Sequence, residues 1–182
     1  MKTDIEIVNL FEKKLTNTPI ENITVNEICK DLNIKRQTFY YYFKDIYEVC
    51  ENYLNNSKSE ILTGKSDFQT NLFDYLDNHI AILSKIANSN LVSCLEDFIE
   101  GLLINYIIEK ISSNNLSKEL SYSNFVEIAN NISCYTARYL VSTLESEFNF
   151  DKKVVSRKFN ILTSAEIINT FIDLYVKNRA VI

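Results

Sequence analysis

The chain has 182 residues, 46% of them hydrophobic, so it can bury a sizeable core as one domain or as a small domain joined to a larger one. With two glycines and one proline it contains few helix breakers, which predicts long helices rather than a fold of many turns. The net charge of −5 excludes a protein that coats nucleic acid through bulk charge, and no apolar run approaches the roughly 20 residues of a membrane span. We therefore expect a soluble, cytoplasmic protein.

The sequence offers little from which to build an enzyme. It has one histidine, no glycine-rich phosphate loop and no Ser/His/Asp arrangement. The carboxylates of Glu96, Asp97 and Glu100 fit the solvated face of a helix. Because the cysteines are far apart and form no CxxC pair, we expect small buried side chains rather than zinc ligands or disulfides. They are Cys29, Cys50, Cys94 and Cys134. We expect no catalytic residues, no metal and no cofactor.

The first helix is predicted over residues 3–17, where apolar residues recur at helical spacing. Pro19, within "TNTPIEN" (16–22), cannot continue a helix because it lacks a backbone N–H and its ring clashes with the preceding turn. Thr24 and Glu27 then have the spacing of a capping box, in which the threonine oxygen accepts from a first-turn amide while the glutamate reaches back. This pattern predicts the start of a short second helix.

The second helix is predicted to end near Asn33, a residue that tolerates the left-handed conformation of a tight turn. The segment "KRQTFYYYF" (35–43) predicts a third helix of about two turns. Asp45 is the expected N-cap of a fourth helix, which extends to about Leu62.

Long helices are predicted for the rest of the chain, since apolar residues keep helical spacing and nothing alternates as a strand would. We place them at about 68–87, 91–112, 123–148 and 153–178. The sequence therefore predicts an all-α protein, with a three-helix N-terminal unit and a larger C-terminal helical bundle.

The short turn between the second and third helices, "NIK", is typical of a helix-turn-helix, in which the second helix of the pair enters the DNA major groove. Such a helix needs donors on one side and apolar groups on the other. Phe39, Tyr40 and Phe43 cannot all face inward at about 100° per residue. We expect Tyr40 and Phe43 to be mainly inward.

The remaining side chains of this segment are predicted to face DNA. Arg36 and Gln37 have the donors that recognise guanine and adenine edges. Thr38 suits a methyl group or a phosphate, and Tyr42 and Lys44 suit phosphates. Lys35 and Tyr41 are also expected to be exposed. The predicted DNA-facing residues are therefore Lys35, Arg36, Gln37, Thr38, Tyr41, Tyr42 and Lys44. The alternative is that the tyrosines form an aromatic core with solvated hydroxyls.

Residues 23–49, "ITVNEICKDLNIKRQTFYYYFKDIYEV", resemble the DNA-binding signature of the TetR family of transcriptional regulators. The matching positions are Thr24, Val25, Ile28, Cys29, Asn33, Ile34, Thr38, Phe39, Tyr40 and Phe43. The segment "RQTFYYYFKDIYEV" is especially similar to the Firmicutes subgroup related to regulators of dihydroxyacetone utilisation. Three positions depart from the pattern. Cys29 replaces an alanine, Asn33 replaces the turn glycine, and Ile46 stands where many members have a phosphate-contacting lysine, a role that passes to Lys44 or is lost.

The resemblance implies a helix-turn-helix DNA-binding domain at residues 1–44 and an effector-binding and dimerisation domain at residues 45–182. It implies a homodimer through the last two helices, which binds a pseudo-palindromic double-stranded DNA operator, as a repressor rather than an activator, and is released by a small-molecule effector. The backbone amide of Thr24 would contact a DNA phosphate at the start of the second helix.

The resemblance also implies an effector pocket between about residues 50 and 142, a segment rich in aromatic residues. Stacking and hydroxyl hydrogen bonds would hold an aromatic or amphipathic molecule there. The candidates are Tyr53, Phe73, His79, Phe98, Tyr106, Tyr135 and Tyr139, each of which also fits an ordinary core position. Two other interpretations stay open. One is a helical protein–protein adaptor, and the other is a DNA-binding protein that takes no effector.

Overall fold

The computed structural model describes residues 3–113, 120–145 and 150–179, and every regular element within these ranges is helical. This confirms the all-α prediction. The first helices are α1 (Thr3–Asn17), α2 (Val25–Asp31), α3 (Arg36–Tyr42), α4 (Ile46–Asn56) and α5 (Lys58–Leu62). The others are α6 (Phe68–Asn78), α7 (Ile80–Ala87), α8 (Val92–Ser113), α9 (Tyr122–Leu144), α10 (Lys152–Leu162) and α11 (Ala165–Arg179). A single 3₁₀ turn at Ile20–Asn22 follows the proline that ends α1.

Three helices that were predicted as continuous are each divided into two in the structure, so these predictions are wrong. The fourth helix is divided at Ser57, after two asparagines, where side chains that compete for backbone hydrogen bonds weaken the helix. The helix predicted at 68–87 is divided at His79, and that predicted at 153–178 is divided after Leu162. The predicted end near residue 148 lies outside the described residues.

The break between α10 and α11 has a local cause. The side-chain hydroxyl of Thr163 donates to the backbone carbonyl of Phe159 at 3.0 Å, a bond that competes with the backbone ladder and bends helices. The next residue, Ser164, accepts from the backbone N–H of Ile167 at 3.3 Å and so starts a new helix as its cap. The apolar spacing continues through the break, so periodicity alone does not reveal it.

The turn between α2 and α3 is a Schellman motif built around Asn33, which has φ of +52°. The backbone N–H of Ile34 donates to the carbonyl of Cys29 at 2.9 Å, and that of Asn33 donates to the carbonyl of Lys30 at 3.2 Å. This pair of bonds satisfies the last carbonyls of α2. Asn33 therefore takes the left-handed conformation expected from the sequence.

The hydrophobic core continues across the predicted domain boundary at residues 44 and 45. Fully buried side chains of α1, α3, α4 and α7 belong to one cluster, among them Phe11, Phe39, Val49 and Leu83. The ammonium group of Lys85 on α7 also donates to the backbone carbonyl of Leu15, at the end of α1, at 2.7 Å. The N-terminal helices are thus packed against the body.

A second cluster joins α8, α9 and α11, and includes Ile107, Ile128 and Ile168. Of the four cysteines, Cys29, Cys50 and Cys94 are buried and Cys134 is half-buried, all as free thiols. No helix in the described ranges combines the length and apolar character needed to cross a bilayer.

We predict that Asn33→Ala destabilises the chain by about 1–2 kcal/mol relative to Asn33→Gly, because alanine pays a steric cost in the left-handed region and glycine does not. Chemical denaturation of the two variants measures the difference. Equal stability of the alanine and glycine variants would show that this residue is not left-handed in solution.

Candidate nucleic-acid interface

The rotation of α3 about its axis is set by two phenylalanines. Phe39 is fully buried and Phe43 is 5% exposed, and their ring centroids lie 6.0 Å apart within the main core. Because these rings face inward, the opposite side of α3 must face solvent. The helix carries no acidic residue in its first turn, and the side chain of its N-cap, Lys35, makes no capping hydrogen bond.

The exposed side of α3 carries Arg36, Gln37, Tyr40 and Tyr41. At about 100° per residue these four side chains span an arc of about 140°. Tyr41 is 80% exposed and packs edge-to-face against Tyr42, with 4.9 Å between ring centroids. The arc presents a guanidinium group, a carboxamide and two phenol hydroxyls, all of which can donate hydrogen bonds.

The prediction that Tyr40 faces inward is wrong, since its side chain is 53% exposed. Burial of Phe39 decides the rotation, and Tyr40 then lies about 40° from Arg36 on the solvent side. Tyr40 is therefore a surface candidate that the sequence argument missed. Thr38 is half-buried about 60° beyond Tyr41, and Tyr42 is half-buried on the side opposite the arc, where it packs against the core.

The charge of this surface is positive although the chain is acidic. No Asp or Glu occurs in residues 32–44, which contain Lys35, Arg36 and Lys44. All three cations are exposed. The segment thus carries three positive charges in a chain of net charge −5.

Contacts from α1 fix the position of α2, on which the turn and α3 depend. Lys14 of α1 forms an ion pair with Asp31 at the end of α2, with 2.6 Å between Nζ and Oδ2. The hydrogen bond from Lys14 lowers the pKa of Asp31. At the other end of α2, Thr24 Oγ1 accepts from the backbone N–H of Glu27 at 3.3 Å. Thr24 itself is exposed.

The start of α4 follows α3 directly and is capped by carboxylates. Asp45 accepts from the backbone N–H of Glu48 at 3.1 Å, and the carboxylate of Glu48 accepts from the backbone N–H of Lys44. These bonds place Lys44 at the junction, with its side chain in solvent. Ile46 is half-buried against the core, so it contributes packing at this position.

The seven predicted effector residues lie in several parts of the fold. Tyr53 packs on Phe11, and His79 packs on the ring of Tyr75 at 4.6 Å. Phe73 and Tyr106 both contact the ring of Phe159. Phe98 also packs on Tyr75, with 6.2 Å between ring centroids, and lies beside a cavity of about 200 Å³ next to Cys94. Tyr135 and Tyr139 lie beside a cavity of about 350 Å³ between α9 and α11.

A cavity of about 930 Å³ lies between α6 and α10. Phe73 is the one predicted effector residue that lines it. Within the described ranges, no group of three or more His, Cys, Asp and Glu side chains could hold a metal ion. The chain matches no protein-family model and no curated protein.

We predict that Phe39→Ala lowers the free energy of unfolding by about 3–5 kcal/mol, because it leaves a cavity under α3. Tyr41→Ala on the same helix should change it by less than about 0.5 kcal/mol, because that ring lies in solvent. Urea denaturation of both variants tests the assigned rotation of α3. A loss of stability in the Tyr41 variant as large as in the Phe39 variant would contradict it.

Proposed function

We propose that the chain is a DNA-binding transcriptional regulator of the TetR type, in which α2 and α3 form a helix-turn-helix and α3 enters the major groove. The observation that carries this proposal is the exposed arc of α3, with its hydrogen-bond donors and the nearby cations Lys35 and Lys44, on the side of the helix opposite the buried Phe39. Arg36 and Gln37 would contact base edges, and Lys35, Lys44 and the tyrosine hydroxyls would contact phosphates.

The dimensions of α3 suit this role. An α-helix with its side chains is about 10–12 Å in diameter, which fits the major-groove width of about 12 Å, and α3 has seven residues. Helix α3 also has core on one side only, so it can approach a duplex without unpacking the protein. Thr24, at the exposed start of α2, would lie beside the phosphate backbone.

A single copy of this surface would bind DNA weakly, and we propose a homodimer through α9, α10 and α11. Large exposed apolar side chains concentrate there: Tyr135, Val154 and Leu174 are each at least half exposed. Tyr135 and Tyr139 face Leu162 and Phe171 across an apolar cavity of about 350 Å³. Two copies on a twofold axis would bind adjacent major grooves about 34–36 Å apart.

Helix α4 is the proposed connection between the DNA-binding helices and the body. It begins directly after α3, and four of its side chains are buried in the shared core. The hydroxyl of Tyr47 donates to the backbone carbonyl of Asn90, in the loop before α8, at 2.7 Å. A shift of the body that moved α4 would therefore move α3, and an effector favouring that arrangement would release the operator.

The exposed rings of Tyr40 and Tyr41 also favour a second function, that of a protein–protein adaptor, because exposed tyrosines are common at interfaces. Adjacent Lys35, Arg36 and Lys44 make a polyanion the better partner. Measuring binding at increasing salt concentration distinguishes the two functions, because binding to DNA weakens steeply with salt.

We predict that Arg36→Ala weakens binding to a duplex enriched from a randomised pool by about 1–3 kcal/mol, or roughly 5- to 150-fold, through loss of a base contact. Lys35→Ala should weaken binding to all duplexes and reduce the slope of log K against log salt by about 1. Fluorescence anisotropy of labelled duplexes measures both.

Lys65→Ala is the matched control, because Lys65 is an exposed cation in the loop before α6. It should leave affinity and salt slope unchanged. The variants should keep the sedimentation coefficient of the unmodified chain. Equal loss in the Lys35, Arg36 and Lys65 variants would indicate nonspecific charge and would contradict the assignment to α3.

We predict that Tyr135→Glu converts the dimer to a monomer, because it places a charge in the apolar surface between α9 and α11. Operator affinity should then fall by about 10²- to 10⁴-fold through loss of linkage. Analytical ultracentrifugation measures the mass. Asn130→Glu, on the same helix but about 140° away, is the control and should remain dimeric. A dimeric Tyr135 variant would exclude this surface as the interface.

A further inference from the structure

The cavity between α6 and α10 has a composition unlike the rest of this acidic chain. It measures about 930 Å³ and is open to solvent, and its lining includes Lys152, Lys153, Arg157 and a single acidic residue, Glu166. Four of the seven residues in 152–158 are cations, in a chain whose net charge is −5. Helix α10 lies outside residues 50–142, the segment predicted to hold the effector, so this cluster is not among the predicted effector residues.

The cations at the cavity are not all accounted for by partners within the protein. Lys152 forms an ion pair with Asp74 of α6, which holds the two helices together. Lys153 and Arg157 form no ion pair in the part of the chain that the structure describes, and both are exposed. Helix stability does not explain Lys153, since a cation in the first turn of a helix opposes the helix dipole.

The rest of the cavity offers both apolar surface and neutral hydrogen-bonding groups. Phe73 is buried beneath it and packs edge-to-face on Phe159, with 5.3 Å between ring centroids, while Ile161 is 55% exposed at its border. The carboxamide of Gln69 donates to the hydroxyl of Ser156 at 3.2 Å, which links the two walls. Small-molecule sites typically have volumes of about 300–1,000 Å³, a range that includes this cavity.

We propose that this cavity binds a small organic anion, in which a phosphate or carboxylate group contacts Lys153 and Arg157 and an apolar body lies over Phe73 and Ile161. The planar guanidinium of Arg157 can donate two parallel hydrogen bonds to either anion, and Lys153 adds a second charge. The neutral side chains of Gln69 and Ser156 supply further hydrogen bonds.

The site is connected to the proposed DNA-binding helices through the chain. Asn71, on α6 between two cavity residues, donates through Nδ2 to the backbone carbonyl of Ile61 on α5 at 3.2 Å. Helix α5 continues from α4 after one residue, Ser57. An anion that changes the spacing of α6 and α10 would thus change the position of α4. This use as an effector site depends on the proposed function, whereas binding of the anion does not.

The test is calorimetric titration of the full chain, without DNA, with phenyl phosphate, benzoate, inorganic phosphate and phenol. We expect saturable binding of phenyl phosphate or benzoate with Kd at or below about 1 mM, the affinity that a molecule of this size reaches in a site of ordinary efficiency. Whichever of these two ligands binds more tightly shows whether the site prefers a phosphate or a carboxylate group. Inorganic phosphate lacks the apolar body and phenol lacks the anionic group, so each should bind at least tenfold more weakly.

The double variant Lys153→Gln with Arg157→Gln should weaken binding at least tenfold while circular dichroism and thermal midpoint stay unchanged. Lys158→Gln is the matched control on the same helix, because its ammonium lies 5.8 Å from the ring centroid of Tyr139, away from the cavity. It should bind within twofold of the unmodified chain. Absence of saturable binding by both aromatic anions would overturn the proposal. So would equal loss in the control, or inorganic phosphate binding as well as phenyl phosphate does.

Discussion

The burial of Phe39 and Phe43 beneath α3 is the constraint on which the proposed function depends. A seven-residue helix is too short to be stable alone, so its orientation comes entirely from the side that it packs. The two rings lie in the same core as α1, α4 and α7, and the Schellman turn at Asn33 brings the chain out of α2 at the angle that this packing needs. Arg36, Gln37, Tyr40 and Tyr41 then face solvent as a geometric consequence.

Helix α4 gives the N-terminal helices and the body a common core rather than a flexible linker. Its buried side chains contact both parts, and Lys85 and Tyr47 add hydrogen bonds from α7 to α1 and from α4 to the loop before α8. The proposed function requires a rigid connection, because a small change in the body would have to change the separation of two α3 helices. The cationic cavity lies at the far end of this path, between α6 and α10.

Features set by local chemistry were predictable from the sequence, and features set by packing were not. The all-helical fold follows from the scarcity of breakers, the cap at Thr24 from its spacing to Glu27, and the left-handed turn from Asn33. The rotation of α3 was predicted only in part, because three adjacent rings offer several ways to face the core and burial of Phe39 chooses one that exposes Tyr40. The cation cluster at the cavity was missed because Phe73 and Arg157 meet only through tertiary packing.

The most direct test of the central claim is the sequence of the duplexes that the purified chain retains from a randomised pool at physiological salt. If α3 enters the major groove in two symmetry-related copies, the retained duplexes will share a pseudo-palindrome whose half-site centres lie one helical turn, about 10–10.5 base pairs, or a multiple of it, apart. Retention of no common sequence over the starting pool would contradict the assignment of α3 as a recognition helix.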